Sequence, residues 1–131
     1  MLRNISVKTG HGKYAVEMLA TLTDEGLIVQ VLGGERPHVG AVVLSLPRPS
    51  MSEPGELRAT STVVPLYGHR DDEVARPVAE QLAVAFGQPV VVVAGIHVDK
   101  AKPHEIAMLV ENVSHAVADL IKAIREKIDP R

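Results

Sequence analysis

The sequence predicts an α+β fold: a mostly antiparallel or mixed sheet of five to six strands with two helices, in the order β-β-β-β-β-α-β-α. Two observations support this fold class. In the first half of the chain apolar and polar residues alternate, which is the period of half-buried strands. In the second half apolar residues recur every three or four positions on either side of a continuous apolar run at 90–96, as expected for two helices flanking a buried strand.

The N-terminal strands are expected to form hairpins. Apolar residues occupy the even positions of 14–22, and turn residues at 24–26 separate them from a second apolar stretch at 27–32. These two segments should pair as a hairpin, and a shorter strand at 3–8 should pair with the first of them.

Two further strands are expected at 39–46 and 57–66. The segment between them, at about 47–56, contains three prolines and a glycine, residues that interrupt strand pairing. We therefore expect this loop to be mobile.

The first helix is predicted at 71–86, with Asp71 or Asp72 as N-cap, acidic residues in its first turn and Gly87 as its C-terminal stop. Pro77 lies inside this segment and removes one backbone hydrogen bond. Either a kink or a start nearer Arg76 is therefore expected.

The second helix is predicted to open at Pro103, because proline suits the first helical position. Its apolar residues alternate spacings of four and three, and this seam should pack on the sheet of the same chain, with a partner helix in a dimer as the alternative. The residues of the seam are Ile106, Val110, Val113, Val117, Leu120 and Ile124.

Length and composition exclude several classes of function. A chain of 131 residues should form a single domain, 1–131. Its net charge of −2 and aromatic fraction of 2% give neither the positive surface nor the stacking rings that nucleic acid binding needs. The same charge gives no attraction to anionic membranes.

The absence of cysteine excludes disulfides and thiol chemistry. With no apolar stretch of signal-peptide or membrane-span length, we expect a cytoplasmic protein.

Polar residues are predicted to gather at one edge of the sheet. The strand 57–66, the first helix and the strand 90–96 suit a right-handed crossover, which brings the carboxyl ends of both strands to the same edge. His69 and His97 follow those ends and should lie near each other. The loop after residue 32 could add Gly33, Gly34, Arg36 and His38.

The residues leave two kinds of site open. Three imidazoles, from His38, His69 and His97, could bind zinc or iron with Asp99 as a fourth ligand or an orienting group.

Alternatively, a phosphate could bind to the glycine loop beside Arg36 or to the lysines Lys100 and Lys102 before the second helix. Neither loop matches a phosphate-loop or dinucleotide fingerprint. No serine is paired by spacing with a base, so nucleophilic catalysis is disfavoured.

Three blocks of the sequence carry a family resemblance. In order they are GGERPHVGAVVLSLP, STVVPLYGHRDDEVARPVAEQLA and VVVVAGIHVDKAKPHEIAMLVENV. They resemble the LpdD-like prenylated-flavin chaperones, small D-type proteins associated with gallate decarboxylase, over the chain from about Tyr14 to about Leu120. The resemblance implies a non-catalytic protein that binds prenylated FMN, with plain FMN as a second candidate ligand. It also implies delivery to the large subunit of a UbiD-type decarboxylase of hydroxylated aromatic acids. A homo-oligomer is left open.

On this resemblance the three histidines would contact the flavin ring or the phosphate, and Tyr67 would lie against the ring. Because rings are so scarce, the flavin would rest mainly on aliphatic surface. The implied cofactor-binding set is Gly33, Gly34, Arg36, His38, Tyr67, His69, Arg70, Arg76, His97, Asp99 and Lys100.

Two other functions are kept as alternatives. One is a metal-dependent enzyme built on His38, His69 and His97. The other is a ligand-free assembly subunit of a decarboxylase, which would expose an apolar stripe on Val78, Leu82 and the second helix.

Overall fold

One six-stranded mixed sheet, covered on one face by two helices, forms the body of the computed structural model, which describes residues 2–66 and 70–128. The α+β class and the predicted order of elements are confirmed. The strands are β1 Arg3–Thr9, β2 Val16–Thr23, β3 Gly26–Gly34, β4 Ala41–Pro49, β5 Leu57–Pro65 and β6 Val90–His97; the helices are α1 Asp72–Phe86 and α2 Pro103–Ile128, and a short 3-10 turn spans Gly12–Tyr14.

The strands lie in the order β1-β2-β3-β6-β4-β5. Consecutive strands β1, β2 and β3 pair antiparallel, as predicted, and β3 then pairs in parallel with β6. Strand β4 pairs antiparallel with both β5 and β6, so it separates the two strands that the crossover connects. The fifteen residues of α1 span about 22 Å, which is long enough to pass over an inserted strand.

The shared edge predicted for β5 and β6 is nevertheless present. Ala41 of β4 is in register with Pro65 at the end of β5 and with Ala94 near the end of β6. The parallel pairing of β3 adds a third carboxyl end, because Gly34 is in register with His97. The loops after β3 and β6 therefore start side by side.

The core lies between the helices and one face of the sheet and is aliphatic. Its largest fully buried side chains include Met18, Val29 and Val43 from strands and Leu82 and Leu120 from the helices. Val78, like Leu82, is buried here, so these two residues do not form the exposed stripe expected of a ligand-free assembly subunit.

Helix α1 begins at Asp72 and continues through Pro77, so the later start near Arg76 is wrong. Pro77 loses only one backbone hydrogen bond, the one that its N–H group would have donated to the carbonyl of Glu73. Ala75 and Val78, on either side of it, are buried, and their packing keeps this turn helical.

Helix α2 begins at Pro103 as predicted, but its seam is buried over only part of its length. Ile106 and Val110 are 51% and 53% exposed, whereas Leu109 and Val113 are buried. The first turns of α2 therefore present apolar side chains to a surface groove and not to the sheet. Neither helix, within the residues described, has an apolar stretch that could cross a bilayer.

Strand β4 extends to Pro49, three residues further than predicted, and leaves a connection at 50–56. Pairing between β4 and β6 ends at Ser45, so beyond this residue one edge of β4 is unpaired. Proline has no backbone N–H group, and Pro47 and Pro49 are tolerated here because no neighbouring strand on that edge needs the hydrogen bond. The mobility of this loop stays a prediction.

Candidate functional site

The loops after β3 and β6 meet in a cluster of charged side chains. Arg36 Nη2 lies 3.0 Å from both Asp99 Oδ1 and His97 Nε2, and His97 Nε2 lies 2.8 Å from Asp99 Oδ1. The imidazole can donate to the carboxylate or accept from the guanidinium, depending on which tautomer it adopts. The hydrogen bond from His97, with the positive charge of Arg36, holds the pKa of Asp99 below its usual value. This cluster is exposed, so its arginine and histidine can turn toward a ligand.

A second, more buried pair lies behind this cluster. His38 Nε2 is 2.8 Å from Asp71 Oδ2, and the other ring nitrogen of His38 is 2.9 Å from the carbonyl oxygen of Arg36. Asp71 Oδ1 accepts a 2.9 Å hydrogen bond from the N–H of Ile96. One carboxylate thus connects the start of α1, the end of β6 and the β3–β4 loop.

Asp71 occupies the predicted N-cap position of α1, but its side chain makes no capping hydrogen bond. Two glycines permit its other contacts, since a Cβ atom on Gly40 would overlap the Asp71 carboxylate and one on Gly95 would overlap the His38 carbonyl. Both glycines lie within strands predicted from the sequence, at 39–46 and 90–96, and only the close approach of two chain segments identifies their role.

The structure brings together part of the predicted site. The ring centroids of His38 and His97 are 6.3 Å apart in an edge-on arrangement, close to Arg36 and Asp99. Tyr67 and His69 lie outside the described residues. Within the described residues no group of three histidine or acidic side chains could hold a metal ion.

The glycine loop offers fewer free donors than a phosphate site needs. The N–H of Gly34 donates to the carbonyl of Ala15, and the N–H groups of Glu35 and Arg36 both point at the carbonyl of His97. Gly34 has φ of 77°, and a Cβ there would overlap the backbone of His97. Gly33 belongs to the β2–β3 ladder. Both glycines shape the turn, and an anion would depend on side-chain cations instead.

The remaining predicted cations lie at different places. Arg70 precedes α1 and lines a cavity beside the cluster. Lys100 is exposed in the turn after β6, with φ of 49°. Arg76 instead donates to Glu80 one helical turn further along α1, at 3.3 Å from Nε to Oε2.

That cavity has a volume of about 560 Å³ and lies between the end of β6, the start of α1 and the first half of α2. This size is typical of sites for small organic ligands. Its polar lining consists of Arg70, Asp71, Glu73 and His97; its apolar lining consists of Val74, Ile96, Val98, Ala101, Ile106, Leu109, Val110 and Val113. Most of the wall is thus aliphatic.

A smaller hollow of about 200 Å³ continues this cavity along the groove between α1 and α2. The two share Glu73, Val74, Val110 and Val113. The partial exposure of Ile106 and Val110 follows from this arrangement, because they face the groove.

Glu105 is a buried residue that sequence reasoning missed. Its carboxylate accepts hydrogen bonds from Tyr14 Oη at 2.6 Å and from the N–H of Lys102 at 3.0 Å, and it forms an ion pair with Lys13 at 3.1 Å. Chiefly through the hydrogen bond from Tyr14, these contacts lower the pKa of Glu105 to about 2. The sequence did contain an indication of this role, because Glu105 lies three residues after Lys102, the spacing of a glutamate that accepts from the N-cap N–H group in a capping box. Glu105 fixes the start of α2, which forms one wall of the cavity.

Comparison with known proteins identifies the family. The model of the prenylated flavin chaperone LpdD-like domain matches residues 10–125. The chain belongs to this family. The resemblance stated from the three sequence blocks is therefore confirmed, and the match includes every residue that lines the cavity.

A solved structure shares the fold of this LpdD-like chain. It is a chain from the crystal structure of a novel chaperone complex for yeast 20S proteasome assembly, with 17% sequence identity, a TM-score of 0.59 and coverage of 95% of each chain. At this identity the likeness extends to the fold alone. No curated protein matches the chain.

The buried carboxylate predicts a dependence of stability on pH. Because the pKa of Glu105 falls from its usual 4.5 to about 2 on folding, its contribution to stability is complete above pH 4.5 and is lost as the pH drops toward 2. Denaturant unfolding across this range should show wild-type stability falling more steeply than that of Glu105→Gln, which has no charge to lose. Glu126→Gln, an exposed change on the same helix, should behave as wild type. Equal slopes for wild type and Glu105→Gln would contradict the assignment.

Proposed function

We propose that this chain binds prenylated FMN in the cavity between β6, α1 and α2, and delivers it to a UbiD-type decarboxylase without catalysing a reaction itself. The cavity itself, in a member of the LpdD-like family, is the observation that carries the proposal. It combines a long aliphatic wall with polar lining residues that include Arg70 and His97, which suits a ligand with an apolar ring system and a phosphate.

The aliphatic wall suits the ring system. A flavin has a methylated benzenoid end, and prenylation adds further apolar carbon. Burial of apolar surface contributes about 25 cal/mol per Å², so contact with Val74, Ile106 and Val110 would favour the prenylated form over plain FMN.

The polar end suits the phosphate and the ribityl chain. Arg70 and His97 both line the cavity, and Arg36 Nη2 lies 3.0 Å from His97 Nε2. Asp71 and Glu73 also line the cavity and would repel a phosphate, so the phosphate should lie on the side of Arg70 and His97. The two carboxylates could instead accept hydrogen bonds from ribityl hydroxyls or from the flavin N3–H.

The exposure of one wall suits a cargo that must be released. Ile106 and Val110 are each more than half exposed, so a ligand against them would remain reachable from solvent. A chaperone needs affinity high enough to load its cargo and weaker than that of the enzyme it serves.

A charge on the aliphatic wall of the cavity should weaken binding. Val110→Glu places a charge on the aliphatic wall and should weaken binding of prenylated FMN at least about tenfold, since the apolar ring would have to cover that charge. Met108→Glu is the matched control, because Met108 is 42% exposed on the same helix and lies outside the cavity lining. Anaerobic calorimetric titration measures both variants. Equal losses, or none, would place the ligand elsewhere.

Removing the arginine of the lining should affect only phosphorylated ligands. Arg70→Ala should weaken FMN binding about tenfold, as expected for the loss of a charge-assisted hydrogen bond, and leave riboflavin binding unchanged. Fluorescence titration of both ligands measures the difference. A parallel loss for both would show that Arg70 shapes the cavity and does not hold the phosphate.

Delivery should accelerate reconstitution of the enzyme. An apo-decarboxylase mixed with the loaded chain should regain activity faster than with the same concentration of free prenylated FMN, and loaded Met108→Glu should act as wild type. Binding without acceleration would support a storage protein and contradict delivery.

A further inference from the structure

Strand β6 leads into a His-Val-Asp sequence in which polar and apolar side chains alternate. Val98 is buried, whereas His97 is partly exposed and Asp99 is exposed. The alternation of burial that is typical of a strand thus continues to Asp99. It brings an imidazole and a carboxylate to the same side of the chain, 2.8 Å apart.

The backbone beneath these side chains is fixed by hydrogen bonds between the β3–β4 loop and the turn after β6. The carbonyl of His97 accepts from the N–H groups of Glu35 and Arg36, at 2.7 and 3.3 Å. Glu35 Oε1 in turn accepts from the N–H of Asp99 at 2.9 Å. The side chains of Arg36 and Asp99 are nevertheless 69% and 62% exposed. A ligand can therefore be accommodated here by side-chain rotation alone.

One carboxylate oxygen receives two donors. Arg36 Nη2 donates to Asp99 Oδ1 at 3.0 Å, and His97, with its proton on Nε2, donates to the same atom. The hydrogen bond from His97 and the charge of Arg36 lower the pKa of Asp99, so this carboxylate is ionised at neutral pH. An arginine and a histidine converging on one anionic oxygen are also the donors that bind a phosphate oxygen. Asp99 thus occupies the position that an external anion would take.

We propose that Arg36 and His97 bind the phosphate of the cargo, and that Asp99 occupies their donors in the empty protein and is displaced when the phosphate arrives. The inference rests on the proposed function, because His97 also lines the cavity in which the flavin is expected. A phosphate monoester carries a charge of about −1.5 to −2 at neutral pH and has three acceptor oxygens, whereas Asp99 carries a single charge. Exposed ion pairs contribute little to stability, so the exchange can occur without unfolding any segment.

Displacement of an internal carboxylate suits a protein that must both load and release a ligand. The contacts that Asp99 makes are lost when the phosphate binds and are regained when it leaves. This carboxylate therefore lowers the affinity for a phosphorylated ligand and favours its release. A ligand without a phosphate leaves Asp99 in place, so its affinity should not depend on this residue.

Asp99→Asn tests the displacement on flavins. The variant keeps the shape of the side chain and removes its charge, so it should bind FMN at least about tenfold more tightly than wild type and riboflavin equally well. Fluorescence titration measures both ligands. Glu126→Gln removes the same charge at the far end of α2 and should bind both flavins as wild type does. An FMN affinity that is unchanged or lower in Asp99→Asn would overturn the proposal.

A double-mutant cycle separates displacement from charge repulsion at a distance. If Asp99 acts by occupying the donor of Arg36, most of the increase in FMN affinity from Asp99→Asn should be lost in the Arg36→Gln background, because that donor is absent. Repulsion through space would give the same increase in both backgrounds. Additive effects of the two substitutions would therefore contradict displacement.

Inorganic phosphate tests the same pair without any flavin. Its binding should shift the imidazole signals of His97 in NMR spectra of histidine-labelled protein, and half-saturation should need at least about tenfold less phosphate in Asp99→Asn than in wild type. This result together with no FMN binding would refute the flavin function and support the anion site. FMN binding by wild type with equal phosphate affinities in the two proteins, or with no saturable shift in either, would overturn the inference and leave the flavin function standing.

Discussion

The position of β6 between β3 and β4 is the constraint on which the rest of the structure depends. Its Val90 and Val92 are fully buried, and both its edges are paired, in parallel with β3 and antiparallel with β4. This pairing places the loop after β3 beside the loop after β6 and thereby assembles Arg36, His97 and Asp99. It also requires α1 to pass over β4, which leaves the start of α1 at the same edge.

Asp71 connects the chain segments at the carboxyl edge of the sheet and does not cap helix α1. Its carboxylate accepts from the backbone of Ile96 and pairs with His38 instead of capping α1. The polar end of the cavity is held by this buried network, whereas Ile106 and Val110 on the opposite wall are largely exposed. Glu105 fixes the position of that wall, because its carboxylate binds the N–H group of Lys102 at the start of α2. The site therefore combines a fixed polar end with an open apolar wall, an arrangement suited to a ligand that is bound and later released.

Much of the fold could be predicted from local pattern, and the errors share one cause. Alternating residues identified the strands, and Pro103 and Gly87 marked helix ends, because these signals act within a few residues. The seam of α2 was predicted buried throughout, yet Ile106 and Val110 face a groove. Periodicity shows which side of a helix is apolar and does not show whether a sheet lies beneath every turn. Glu105 was missed for the same reason, since its partner Tyr14 is distant in sequence.

The sequence by itself determined the element order, the aliphatic core and the family, because these depend on residue type and local spacing. It also indicated that Arg36, His38, His97 and Asp99 gather at one edge, since carboxyl ends of parallel strands coincide. Only the tertiary structure decided that β4 lies between β5 and β6, that Asp71 bonds to a strand, and that a cavity opens between α1 and α2. Each of these depends on contacts between distant segments, where packing and backbone pairing outweigh local preference.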